Sequence, residues 1–404
     1  MTIRLLTMTS LFPNAQMPRH GIFVRERLRH LVLTQPVKAF VVAPVPWFPS
    51  AHPLWGRYAK FAATPTHEIL DDLDVYHPRF AAIPGFGNAL SPFTMASAAR
   101  RCLMHNGAPD FDAVDAHYAF PDGVAAILLA GWLGKPVVVT VRGSDMNILP
   151  HQRAAGWWLR RTLSRCDAVI AVSEALADRV ECVAPQLKGR IRVLRNGVDR
   201  ERFVARSDRR LLRQELFPDG ATILSVGNLV PLKGHDVVIE ALGLLPGVHA
   251  AIVGSGPEER ALKELAERLG LAARVRFLGN VAQGRLVELY NAADVTVLAS
   301  SSEGLPNVVL ESLACGTPVV ASNVGGVAEI LTSSDAGTLV SNRTPRAFAD
   351  AISSLLERVP ASDTVRAQVA SFGWERTSAG IYSLFSDILA TRLMTCATGK
   401  GGAR

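Results

Sequence analysis

Short apolar runs rich in β-branched residues recur along the chain, each separated from the next by enough residues for a helix. In the first half they fall at 3–10, 39–45, 113–117, 136–141, 168–172 and 191–194. In the second they fall at 222–226, 250–253, 275–278, 295–298, 318–321 and 338–340. Most are continuously apolar and do not alternate, the pattern of parallel strands covered on both faces. Helical periodicity fills the gaps, as at 257–269, 283–292 and 307–315. Strand, helix, strand repeated this way predicts an α/β doubly wound sheet, here twice.

Length agrees, because 404 residues exceed one ordinary core and suit two domains of about 200 residues each. The boundary is expected at 199–213, where the last strand of the first half gives way to a charged segment. Residues 44–53, rich in proline and holding Trp47 and Phe48, read as a long loop that either covers core or lines a pocket. Residues 62–97 read as a loop-rich connection.

Charge is uneven. Residues 1–200 hold 23 Lys and Arg against 15 Asp and Glu, a net +8, and residues 201–404 hold 20 against 21, a net −1. The basic half either expects an acidic partner, such as an anionic membrane surface, or serves solubility alone. No recognised nucleic-acid motif accompanies it, so no nucleic-acid partner is expected. Five scattered cysteines without a CxxC pair point to reduced thiols in the cytoplasm and away from a structural zinc site. The first apolar run is too short for a signal peptide, and no stretch is long enough to span a bilayer.

The chemistry is concentrated in Glu303-Gly-Leu-Pro-Asn-Val-Val-Leu-Glu311, followed by Gly325-Gly326. The run at 295–298 is a strand and 300–305 the loop at its carboxyl end. Pro306, having no amide to satisfy, suits the first helical turn. Leu305, Pro306 and Asn307 then lie where a helix start offers free amides to an anion. Glu303 and Glu311 suit acceptance of hydrogen bonds from sugar hydroxyls better than contact with phosphate. A second segment, Ser225 to Gly234, is a strand entering a glycine-marked loop with Lys233 placed as a point charge. Gly254-Ser-Gly256 opens the following helix.

These segments resemble the GT-B, family-4 retaining glycosyltransferases over nearly the whole chain. Glu303 and Glu311 match the family's E-x7-E signature, and Lys233-Gly234 its G-R-L-x-x-x-K-G motif. Asn228 stands where most members carry arginine, so the diphosphate charge must be met otherwise. Arg142 and Arg25 are the candidates from the first half. Asp115 to Gly123 resembles the segment whose histidine, here His117, lies near the transferred sugar. Gly21 resembles the glycine loop beside the donor phosphates, and Asn196-Gly197-Val198-Asp199 a hinge element.

The resemblance implies two facing Rossmann-like domains with the donor site in the interdomain cleft. Residues 1–200 would take the acceptor and 201–375 the nucleotide sugar. Residues 376–395 would form a helix packing back on the first domain, with 396–404 a disordered tail. The implied activity is retaining, metal-independent transfer from a UDP- or GDP-type sugar donor, with no cofactor, to a glycan or lipid-linked acceptor in cell-surface polysaccharide or glycoconjugate synthesis. Glu303, Lys233 and His117 would be catalytic. Gly21, Arg142, Asn228, Gly254, Gly256, Gly279, Asn280, Leu305, Pro306, Asn307 and Glu311 would bind donor. The alternatives are a sugar-nucleotide epimerase of the same architecture and a non-catalytic sugar-nucleotide binder. The helical segment 156–165, mixing Trp and Arg, reads either as ordinary core and solvent faces or as a contact with an anionic bilayer.

Overall fold

A computed structural model describes residues 1–82, 87–105 and 109–399. The chain divides into two compact units, Met1–Arg195 with the segment from Trp374 onward, and Asn196–Gly373. The first thus ends at Arg195, a few residues before the charged segment where a boundary was expected.

The first unit is built on an eight-stranded sheet, β10-β9-β8-β7-β1-β2-β5-β4. In chain order these are β1 (Ile3–Met8), β2 (Val37–Val42), β4 (His67–Leu70), β5 (Leu73–Tyr76), β7 (Ala113–His117), β8 (Val137–Val141), β9 (Ala168–Ala171) and β10 (Ile191–Val193). A separate pair joins β3 (Val45–Pro46) to β6 (Arg79–Phe80). Every pairing in the large sheet is parallel except β4 with β5. Strands β7 and β8 are buried at every position, which is why apolar residues occupy both faces without alternation, with Asp115, His117 and Thr140 as the polar exceptions.

The segment 62–97 is more structured than its sequence suggested. It carries the β4–β5 hairpin and the start of a helix spanning Gly87–His105, while residues 83–86 lie outside the described residues. The hairpin turns on Asp71 and Asp72, with φ of 48° and 62°. Positive φ at both central positions matches the twist of flanking strands, and aspartate tolerates it better than most residues. Residues 44–53 also depart from the core-covering reading. Trp47 and Trp55 are exposed, and Phe48 stacks on Tyr58 in a surface cluster instead of lying over core.

The last helix, Trp374–Gly399, packs into the first unit. Ile381, Leu384 and Phe385 join Leu28, Leu31 and Val41 in one core cluster. Trp374 stacks on His30 at 5.5 Å, and Arg392 pairs with Asp167 at 3.0 Å. Residues 396–399 continue this helix, and the rest of the expected tail, 400–404, lies outside the described residues.

The second unit holds a six-stranded, wholly parallel sheet in the order β13-β12-β11-β14-β15-β16. Its strands are β11 (Thr222–Val226), β12 (His249–Val253), β13 (Val275–Gly279), β14 (Val295–Leu298), β15 (Val319–Ser322) and β16 (Gly337–Val340). The chain order reverses between β11 and β14. Loops leaving the carboxyl ends of strands at such a switch point diverge and leave a crevice.

Candidate active site

Adjacent parallel strands point their carboxyl ends the same way, so the loops after β11 and β14 meet. Lys233, on the first loop, places Nζ 2.6 Å from Oε1 of Glu303 on the second. Their side chains retain 24% and 10% exposure. The pair is therefore largely sheltered, yet an incoming anion still has access to the ammonium. Ser301 and Arg343 fix the two loops together. The Ser301 amide donates to the Leu232 carbonyl at 2.9 Å. Arg343 Nε donates to the Ala299 carbonyl at 2.6 Å, and its guanidinium lies against Gly234. His235 follows Lys233 with Nδ1 3.0 Å from Ser225 Oγ, and burial holds this imidazole below its ordinary pKa.

The glycines are required by packing. Gly254 has φ of 139°, and a Cβ there would collide with the Gly227 carbonyl; one on Gly256 would strike the Leu229 carbonyl. The Leu229 amide donates to Ser255 O at 3.0 Å, and the Glu258 amide to Leu229 O at 3.0 Å. Loops 227–229 and 254–258 thus interlock backbone to backbone. Asn280 Nδ2 donates to Ser255 Oγ at 2.7 Å beside Gly279, whose φ is 60° with open space around its Cα. Asn228 is exposed on this loop.

Helix Asn307–Ala314 begins where its periodicity placed it, with Pro306 just outside the first turn instead of within it. Pro306 is its N-cap, with extended dihedrals (φ −77°, ψ 111°). Leu305 is buried. Asn307 and Glu311 are one turn apart on the same face. Asn307 Oδ1 accepts from Asn196 Nδ2 at 3.0 Å, and Glu311 Oε2 accepts from the Tyr290 hydroxyl at 3.0 Å. Burial, then the charge of Glu311, raises the Tyr290 phenol well above its ordinary pKa, so it stays a donor and fixes the carboxylate. Gly325, at φ 53°, packs on the Glu303 backbone, and the Gly326 amide donates to Gly304 O at 2.8 Å.

In the first unit, a second cluster sits at the carboxyl ends of β7 and β8. The His117 ring is 1% exposed. Its Nδ1 lies 2.8 Å from Arg142 Nη2 and 3.1 Å from Arg27 Nη1, and its Nε2 lies 3.1 Å from Asp115. Guanidiniums only donate, so Nδ1 is the acceptor and Nε2 carries the proton. Burial lowers the ring to a pKa of about 4, Asp115 opposing and Arg27 adding to the shift. With both nitrogens held by protein groups, the neutral imidazole orients Arg142 in this geometry. Burial and the neighbouring Arg27 lower Arg142 to about 9. Asp145 accepts from the backbone amides of Ala119, Arg142 and Gly143, fixing the turn that carries Arg142. Gly21 caps the helix Ile22–Thr34 at φ 66°, where a Cβ would collide with Leu11 O. Arg25, the other candidate cation, is committed to Asp71 at 2.5 Å.

Sequence reasoning missed Tyr290, His235, Arg343 and Arg27. None lies in a motif, and each acts by supporting a residue that does.

Comparison with known proteins settles the lineage. "Glycosyltransferase Family 4" matches residues 40–202 and "Glycosyl transferases group 1" matches residues 207–368. The chain is 34% identical over 320 residues to a D-inositol 3-phosphate glycosyltransferase of Acidothermus cellulolyticus, covering 73% of this chain and 71% of that one. The chain belongs to glycosyltransferase family 4. A putative teichuronic acid biosynthesis glycosyltransferase, TuaC of Bacillus subtilis, is 29% identical over 357 residues, with 87% and 88% covered. Among solved folds, sucrose-phosphate synthase from Thermosynechococcus elongatus superposes with a TM-score of 0.77 at 21% identity, covering 96% of this chain and 99% of that one. Anabaena HepE in complex with UDP and glucose gives 0.70 at 20%, covering 96% and 100%. The GT-B assignment, two Rossmann-like α/β domains with parallel sheets, therefore holds for this family member.

Proposed function

We propose that this family-4 enzyme transfers a sugar, with retention of anomeric configuration and without a metal, from a nucleotide-diphosphate donor. The observation that carries the reading is the Lys233–Glu303 pair at the switch point of the second sheet, beside the start of the Asn307 helix. In this pair, Glu303 holds Lys233 in place. A diphosphate would compete for the ammonium and leave Glu303 to accept from the sugar hydroxyls. Glu311, fixed by Tyr290, would accept from the ribose hydroxyls. The UDP and glucose held by HepE support a UDP- or GDP-type donor.

In the step proposed, the bond from the anomeric carbon to the phosphate oxygen breaks through an oxocarbenium-like state. Lys233 offsets the charge growing on the leaving diphosphate. The acceptor oxygen bonds to the same face of the sugar, and its proton passes to the departing phosphate. Arg142, oriented by His117, is proposed to bind donor, and Arg142→Ala should raise the donor KM. A relative named as a D-inositol 3-phosphate glycosyltransferase and one named as a putative teichuronic acid biosynthesis glycosyltransferase support a hydroxyl-bearing acceptor, proposed here to be a glycan or lipid-linked. Cys166, Cys182 and Cys315 are free thiols, which fits work in the cytoplasm at the inner face of the membrane. No helix among the described residues is long and apolar enough to cross a bilayer.

The test is a thermal-shift panel of UDP, GDP and ADP with their sugar conjugates, followed by NMR of the product's anomeric proton. One nucleotide should raise the melting temperature by mass action, and the product should keep the donor's configuration. Absence of any shift at millimolar nucleotide, or an inverted product, defeats the reading.

A further inference from the structure

Three helices of the first unit, Gly87–His105, Val124–Leu133 and Arg153–Thr162, contain no aspartate or glutamate at all. They also turn apolar side chains outward. Along the first, Leu90, Phe93 and Met104 are exposed at 44%, 53% and 68%, at the spacing of a single solvent stripe, with Arg100 and Arg101 exposed between them. Along the third, Arg153, Trp157, Arg160 and Arg161 are exposed at positions i, i+4, i+7 and i+8.

These stripes form one face. Trp158 Nε1 donates to the Ala89 carbonyl at 2.9 Å, joining the third helix to the first. Phe93 meets Trp132 of the second helix edge-on at 5.8 Å, and the Arg100 guanidinium lies 5.9 Å from the Trp132 ring centre. The sequence left the Trp-rich segment between a core helix and a bilayer contact. Leu159 is buried and Trp158 is half-buried against the first helix, while Trp157 and its arginines face out.

We propose that this three-helix face docks on anionic phospholipid, with Leu90, Phe93, Met104 and Trp157 entering the interfacial layer and the arginines meeting phosphate headgroups. The inference rests on the location argued above, not on the donor chemistry. Large exposed apolar side chains interleaved with cations and free of carboxylates match the two components of an interfacial membrane, hydrocarbon and negative charge. Arginine stems add to the apolar contact while their heads stay at the phosphates. A nucleic acid would use the arginines and rings, yet it offers nothing to cover Leu90 and Met104.

The experiment is flotation of the full chain with vesicles of phosphatidylcholine alone, and of phosphatidylcholine with about one-third phosphatidylglycerol. Binding is expected only to the anionic vesicles and should weaken with salt. Each arginine near such a surface is worth about a fivefold change in partition, so Arg101→Glu/Arg161→Glu should lower binding at least ~30-fold. Trp157→Ser should weaken it, and Arg210→Glu on the second unit should leave it unchanged. Unaltered melting temperatures and nucleotide-induced shifts would show that the variants keep their fold and donor site. Equal binding to neutral vesicles, no binding to either, retention by the double variant, or tight binding of an oligonucleotide in place of vesicles overturns the proposal.

Discussion

Replacing Lys233 by methionine keeps most of the side chain's volume and removes its charge, leaving Glu303 without the ammonium now 2.6 Å away. Exposed ion pairs contribute ~0–1 kcal/mol, and breaking a buried pair costs ~3–5 kcal/mol. At 24% and 10% exposure this pair falls between, so the apo protein should lose ~1–2 kcal/mol. For a unit of this size that is a fall in melting temperature of roughly 2–8 °C, well inside a typical stability of ~5–15 kcal/mol. Catalysis should suffer more. Removing one preorganised donor from a developing oxyanion costs ~3–4 kcal/mol, or ~100- to 1000-fold in turnover. Because the diphosphate gains charge as it leaves, the loss should fall on kcat more than on KM. Single-turnover hydrolysis of the donor by water measures this without a known acceptor, and circular dichroism melts report the fold. Lys233→Arg should recover part of the rate. A folded Lys233→Met protein hydrolysing donor within about threefold of the parent would refute the assignment. So would a loss confined to KM, which would make Lys233 a ground-state anchor only.

Three other outcomes follow from the geometry. Gly254→Ala should cost ~2–4 kcal/mol in denaturant melts because it drives a Cβ into Gly227 O, whereas Gly279→Ala, at φ 60° in open space, should cost only ~1–2 kcal/mol. Tyr290→Phe removes a buried bond to a charged acceptor and should destabilise by ~1.5–3 kcal/mol while raising donor KM; an unchanged donor KM would separate Glu311 from ribose binding. Between pH 6.5 and about 4, unfolded His117 is protonated and folded His117 is not, so its contribution, on the order of 3 kcal/mol, is lost as pH falls through that window. Burial raises Asp122 to about 6, so in the range from 3.8 to about 6 the folded carboxyl holds the proton and its contribution weakens as pH rises. Urea melts across this range should show a flatter acid limb for His117→Gln and a steeper one for Asp122→Asn.

What the sequence disclosed and what it hid divide along physical lines. The buried parallel strands were legible because every position is buried and almost all are apolar, as in Val137–Val141 and Val295–Leu298, where Thr140 and Thr296 are the exceptions. The β4–β5 hairpin was hidden because the edge strand His67-Glu-Ile-Leu lacks the polar–apolar alternation that marks a strand, and the turn uses Asp-Asp where Asn-Gly would signal it. The helix Gly87–His105 was obscured by the internal Pro92, which reads as a breaker. At the site, Glu303, Glu311 and Lys233 were readable from motif spacing. Tyr290 and Arg343 were not, because they reach the motif from the helix Gln283–Ala292 and from the loop after β16, and only the fold brings them there.

The return of the last helix to the first unit bears on how a ribosome delivers this molecule. Synthesis is vectorial, and domains generally fold as units while the chain emerges. Residues Asn196–Gly373 are contiguous and complete before Trp374 is made. The earlier-made unit must wait longer, since Ile381, Leu384 and Phe385 belong to the core of Leu28 and Leu31. Until they arrive, the helix Ile22–Thr34 keeps part of its apolar face uncovered. The half of the protein translated first is therefore the half finished last, and a stop codon near residue 373 would damage the amino-terminal unit more than the one it follows.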